Sequence, residues 1–145
     1  MAALRRVLED AGYGDVRTVI ASGNVVFEHA KPSARAIERL IAGEFGVDTT
    51  VLLRSAAQIR KLAAADPFGG QNAYVAFLTK KPTTAALKSL EGLDEHELVG
   101  SDLVVQFPSG YAAAQLTGAV LEKKLGCAAT VRNWRTVAKL AELVA

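Results

Sequence analysis

The chain has 145 residues, a near-neutral formal charge of +2 from 17 basic and 15 acidic residues, and half of its residues are hydrophobic. Those values exclude a disordered chain, and so small a charge excess gives no ground of its own for a nucleic-acid or anionic-membrane partner. The length allows one domain or two small subdomains sharing a core.

Cys127 is the only cysteine, so no internal disulfide can form and one thiol cannot build a zinc site. Between Gly126 and Ala128 it reads as a small hydrophobe in a reducing compartment. No apolar run approaches the ~20 residues of a membrane-spanning helix. The first ten residues carry charges where a signal peptide would be apolar. The expectation is a cytoplasmic protein without a membrane partner.

Taken in chain order, residues 1–12 predict a helix, with Leu4, Val7, Leu8 and Ala11 at helical spacing and Gly12 as a stop. Residues 16–21 and 25–28 predict two strands around Ser22-Gly23-Asn24, a hairpin signal. Pro32-Ser33 opens a helix with the stripe Ile37, Leu40, Ile41 and Phe45, capped by Gly46. Residues 49–53 read as a strand. Ser55 to Gln58 matches a capping box, and that helix ends near Asp66-Pro67. Residues 74–78 predict an apolar strand, and Pro82-Thr83 opens a helix carrying Leu87 and Leu90. Strands are predicted at 97–99 and 103–107 around a turn at 100–102. A helix over 112–125 closed by Gly126, a strand at 129–131 and a final helix complete the chain.

The second half is therefore β-α-β-β-α-β plus a helix, the ferredoxin-like order. The first half, α-β-β-α-β, is the same order without its first strand. This predicts an α+β class built of two ferredoxin-like halves, 1–66 and 67–145, with a C-terminal helix. Strand 74–78 should lie between 103–107 and 129–131.

Three segments carry a resemblance. Ile20 to Phe27, Val75 to Leu78 and Arg132 to Leu140 resemble, in order and in register, the bacterial family known as domain of unknown function 1697. The resemblance implies a pair of ferredoxin-like halves and no particular activity. Family members usually begin with a strand and a Gly-Ile-Asn-Val-Gly-Gly turn, so this chain is expected to be N-terminally incomplete. Members also tend to carry Gly-Arg-Ser-Lys-Leu where this chain has Tyr111-Ala112-Ala113-Ala114-Gln115-Leu116.

Catalytic constellations are not evident. His29 and His96 lie in different halves, and neither has a nucleophile nearby in sequence. In a strand, Glu95 and Glu97 share a face that His96 opposes, which disfavours one metal site there. Gly12-Tyr13-Gly14 precedes a strand and so lacks the helix N-terminus of a phosphate loop. No cofactor is implied.

Arg132-Asn133-Trp134-Arg135 is the most informative group. Asn133 suits a helix N-cap, and Arg132 and Arg135 flank the positive end of that helix, where an anion could sit. From Lys123 to Lys139 there are five basic residues and no acidic one. The plainer reading is a cap, a packed Trp134 and two solvated arginines. Ser22 and Asn24 at the hairpin tip are either turn chemistry alone or further polar members of the site.

Three functions compete. A binding module for a small anion or nucleotide-like ligand, at Arg132, Asn133, Arg135, Ser22 and Asn24, ranks first. Single-stranded nucleic-acid binding on an open sheet needs exposed aromatics on central strands, and Tyr74 and Phe77 point to opposite faces. An enzyme with an unrecognised site ranks third. An unfilled place between 25–28 and 49–53 would also leave open sheet edges, and with them a route to self-association.

Overall fold

The run Ala73–Leu78 is apolar at almost every position, which suits a strand covered on both faces. In the computed structural model, which describes residues 2–19 and 23–144, this segment is the interior strand β3 of a four-stranded antiparallel sheet. In chain order the elements are α1 (Ala2–Asp10), β1 (Gly14–Val19), β2 (Asn24–Glu28), α2 (Ala34–Phe45), α3 (Ala56–Ala65), β3 (Ala73–Leu78), α4 (Thr84–Lys88), β4 (His96–Val99), β5 (Asp102–Gln106), a 3₁₀ turn (Tyr111–Ala113), α5 (Gly118–Leu125), β6 (Ala129–Asn133) and α6 (Trp134–Leu143). Among the described residues this is an α+β fold with six α-helices, a two-stranded sheet β1-β2 and a four-stranded sheet β4-β5-β3-β6. Strand 74–78 thus lies between the strands at 103–107 and 129–131, as its place in the element order predicts.

Helix starts follow local chemistry. Ser33, Ser55, Thr83, Thr117 and Asn133 each accept a backbone N–H from the first turn of the helix they precede. Ser55 and Gln58 complete the reciprocal capping box. Gly46 ends α2 in the left-handed region (φ 66°), and its N–H bonds to the Ala42 carbonyl at 2.9 Å.

Three apolar clusters hold the chain. On one face of the four-stranded sheet, Ala76, Leu78, Leu103, Val105 and Phe107 pack with Leu90, Leu121 and Leu125. On the other, Val75, Phe77 and Val104 meet Ile59 and Leu62 of α3 and Val137 of α6. The third cluster lies beside the two-stranded sheet and joins Leu8, Tyr13, Val16 and Ile37. Each fully buried Leu, Val or Phe contributes about 1.5–3 kcal/mol of transfer free energy.

The structure corrects two expectations. Residues 49–53 form no strand. The Val51 N–H bonds to Glu38 Oε2 at 2.9 Å, and no described strand pairs with this segment. The helix expected over 112–125 is broken. The Asp94 carboxylate accepts the N–H groups of Gln115 (2.6 Å) and Leu116 (3.0 Å), Leu116 is buried, and Thr117 caps a new start. Apolar clusters with helix residues cover both faces of the four-stranded sheet. One covering helix is α3, which precedes the sequence boundary at 66.

Arg54 ties the irregular segment to the large sheet. Its Nε and Nη2 reach the two Asp102 carboxylate oxygens at 2.8 and 2.6 Å, and Nη2 also donates to the Leu78 carbonyl at 2.5 Å. Asp102 is 3% exposed and accepts the Leu78 N–H at 3.0 Å as well. A bidentate pair with its remaining groups bonded is the form in which a buried ion pair is tolerated.

Candidate functional site

β6 runs directly into α6, and Asn133 is both the last residue of the strand and the cap of the helix. Its Oδ1 accepts the Thr136 N–H at 2.9 Å and the Thr136 hydroxyl at 3.1 Å. The cap expected from the sequence is therefore present, and its carbonyl oxygen is committed to it. Trp134 packs against the cluster formed by α3, α6 and the sheet. It lies so close to Gly70 that a Cβ there would sit 3.3 Å from its ring, at a residue with φ +71°.

The arginines on either side differ. Arg132 is half-buried, and its Nε donates to Asn24 Oδ1 at 3.0 Å, across 108 positions of chain. Its Nη1 donates to the Val131 carbonyl at 3.1 Å. Burial draws its pKa below the ordinary arginine value. Arg132 and Asn24, singled out separately in the sequence, thus meet and fasten the β1–β2 hairpin to β6. Arg135 is exposed and makes no hydrogen bond or ion pair among the described residues. Ser22 lies outside the described residues.

A concavity of about 400 Å³ opens beside this helix start, lined by Tyr74, Tyr111, Arg132, Asn133, Arg135 and Thr136, with Val131 behind them. That volume lies in the range of small-molecule sites. Sequence reasoning missed Tyr111. It stands just before the stretch read as helix, and packs with Tyr74 (centroids 5.7 Å) and Phe107 (5.6 Å). Only the tertiary fold brings residue 111 to residue 135, and no local pattern signals it.

The other titratable candidates are used locally. His29 stacks on Tyr13, with ring centroids 4.4 Å apart. His96 Nδ1 lies 2.9 Å from the Asp94 carbonyl, and Cys127 is half-buried with Sγ 4.0 Å from the Lys80 carbonyl. Among the described residues no three His, Cys, Asp or Glu side chains cluster as metal ligands, and no helix is long and apolar enough to cross a membrane.

An α+β protein with, among the described residues, one four-stranded and one two-stranded antiparallel sheet, and a concavity where β6 passes into α6, is the class these features define. The chain belongs to the family described as "Protein of unknown function (DUF1697)", which matches residues 1–102. The Arg132–Leu140 motif lies beyond that span. Among solved structures it is similar to conserved bacterial protein SP0830 from Streptococcus pneumoniae, with a TM-score of 0.68 and 17% identity over 100% of this chain and 88% of that one. At that identity the likeness concerns the fold. No curated protein matches the sequence.

Proposed function

We propose that the protein is a cytoplasmic binding module of ferredoxin-like architecture that takes a small anionic, nucleotide-like ligand in the concavity at the start of α6. The strand order β4-β5-β3-β6, with β3 central and antiparallel to both neighbours, supports the ferredoxin-like reading of the second half. The observation that carries the ligand reading is Arg135: a cation without a described partner, on the first turn of a helix, at the rim of a concavity that also holds two tyrosines. A phosphate there meets the guanidinium and the positive helix end. A base or other flat ring has Tyr111 to lie against. Arg132 shapes the wall, and Asn133 keeps the helix start in place through its cap.

Thermal melts with inorganic phosphate, adenosine, adenosine monophosphate and a short single-stranded oligonucleotide test this. Adenosine monophosphate is expected to stabilise more than phosphate or adenosine alone. At a hundredfold excess over Kd the gain is about 2.7 kcal/mol. Arg135→Ala should remove most of it. Equal melts of wild type and Arg135→Ala with every compound would refute the site. Stabilisation by the oligonucleotide alone would favour single-stranded nucleic acid, contacted at Tyr111 and the basic run from Lys123 to Lys139.

A further inference from the structure

Two concavities differ in what they offer a ligand. The groove of about 1,080 Å³ beside the two-stranded sheet is walled mainly by apolar side chains, with Leu8 and Ile37 inside and Phe45 and Val47, 42% and 51% exposed, at its rim. The smaller concavity at the start of α6 is lined by the side-chain donors Asn133 and Arg135 and, among the described residues, by no Asp, Glu or His. Asn133 is exposed, and only one end of its amide is engaged with the helix. Oδ1 accepts both the Thr136 N–H (2.9 Å) and the Thr136 hydroxyl (3.1 Å). Two donors on one oxygen settle which end of the amide faces the helix. The Nδ2 end, with two N–H groups, makes no hydrogen bond among the described residues. The backbone is fixed too, because β6 sets Asn133 opposite Tyr74 of β3. The cap that stabilises α6 thus holds a pair of donors at the wall of the concavity, and they need no ordering when a ligand arrives.

We infer that this amide sets the ligand class: Asn133 Nδ2 donates to the third terminal oxygen of a phosphate monoester whose other two oxygens lie on the Arg135 guanidinium. This role rests on the ligand reading of the concavity given above and narrows the anion it takes. The guanidinium fork matches two oxygens. A carboxylate or a phosphodiester has two such oxygens, and Arg135 alone satisfies it. A monoester has three, arranged as a tetrahedron, and the third needs a donor from another direction. Asn133 caps α6 and Arg135 lies on its first turn, so one helix start carries both donors. A neutral amide adds directional N–H groups without adding charge, and so sorts anions by shape. The internal phosphates of an oligonucleotide are diesters and lack the third oxygen. A free nucleoside monophosphate has it.

The probes are adenosine monophosphate and its phosphate methyl ester, a diester, each titrated by calorimetry into the full chain as wild type, Asn133→Ser and Asn133→Asp. Serine and aspartate cap helices about as well as asparagine, so without ligand both variants should melt close to wild type. Wild type is expected to prefer the monoester. Asn133→Ser should weaken the monoester about tenfold, the loss of one hydrogen bond to a charged group, and leave the diester unchanged. Asn133→Asp, which turns a carboxylate toward the phosphate, should weaken the monoester further. Equal loss of both ligands in Asn133→Ser would overturn the inference, because the residue would then act through its cap alone. Undiminished monoester binding in Asn133→Ser, with binding still lost in Arg135→Ala, would remove the role of Asn133 and leave the anion site standing. Equal affinity of wild type for the two ligands would overturn the inference without recourse to any variant. No binding of either ligand to wild type would remove the anion site as well.

Discussion

Around β3, a strand on each side and helices on both faces leave Val75 and Ala76 with no exposed surface. Around β2, which pairs with β1 alone among the described strands, Val25, Val26 and Phe27 are only half-buried. Both halves have helices with capped starts, hairpins and apolar stripes of ordinary quality. What separates them is the central strand. A sheet becomes a core when an interior strand bonds in both directions, and a hairpin with one free edge is marginal however well its side chains alternate. The half with the four-stranded sheet also carries the candidate ligand concavity, at the end of the β3–β6 pair that sets Tyr74 opposite Asn133.

The largest expected effect comes from the clamp that joins the two regions. Asp102→Ala removes both oxygens that Arg54 uses and leaves a guanidinium that is 13% exposed without its partner. A loss of about 3–5 kcal/mol is expected in denaturant melts, the range for breaking a buried pair. Hydrogen exchange should rise at Leu78, whose N–H bonds to the same carboxylate.

One substitution made in each region sharpens the contrast. Leu103→Ala, in the closed core at 0% exposure, should cost about 4–5 kcal/mol, because interior strands cannot collapse onto the cavity. Leu8→Ala, at 2% exposure beside the open groove, should cost about 2–3 kcal/mol, because its surroundings can relax inward. Equal costs in denaturant melts would mean that the first half is packed as firmly as the second.

Asn133→Ala should cost about 1 kcal/mol through loss of the cap at the start of α6. Phe45→Asp and Val47→Asp, on exposed positions at the groove rim, should stay within about 0.5 kcal/mol of wild type in the same melts. A larger loss would show that the rim is packed in solution.

How much of this was legible in the sequence depends on the range of the forces involved. The caps at Ser33, Ser55, Thr83 and Asn133 could be read because a cap is a contract between neighbours. The order of the large sheet could be read from the order of its elements. Residues 49–53 misled because β-branched composition reports willingness to pair, and no described strand pairs with the segment. The break at 114–117 was hidden because it is imposed by Asp94, about twenty positions away. The Arg54–Asp102 clamp spans 48 positions, and the meeting of Arg132 with Asn24 spans 108. In the candidate site, Arg135 and Asn133 were visible as a local motif. Tyr111 was not, because only the packing of Tyr74, Phe107 and Tyr111 brings it there.

Amide chemical-shift mapping with adenosine monophosphate tests the central claim most directly, because it reports both regions at once. The account expects saturable shifts at Trp134, Arg135 and Thr136, with smaller ones at Tyr74 and Tyr111, and unmoved signals at Phe45 and Val47. It also expects the shifts to vanish in Arg135→Ala while the spectrum stays folded. Shifts confined to the groove around Phe45 and Val47, or none at the start of α6 at millimolar nucleotide, would contradict it.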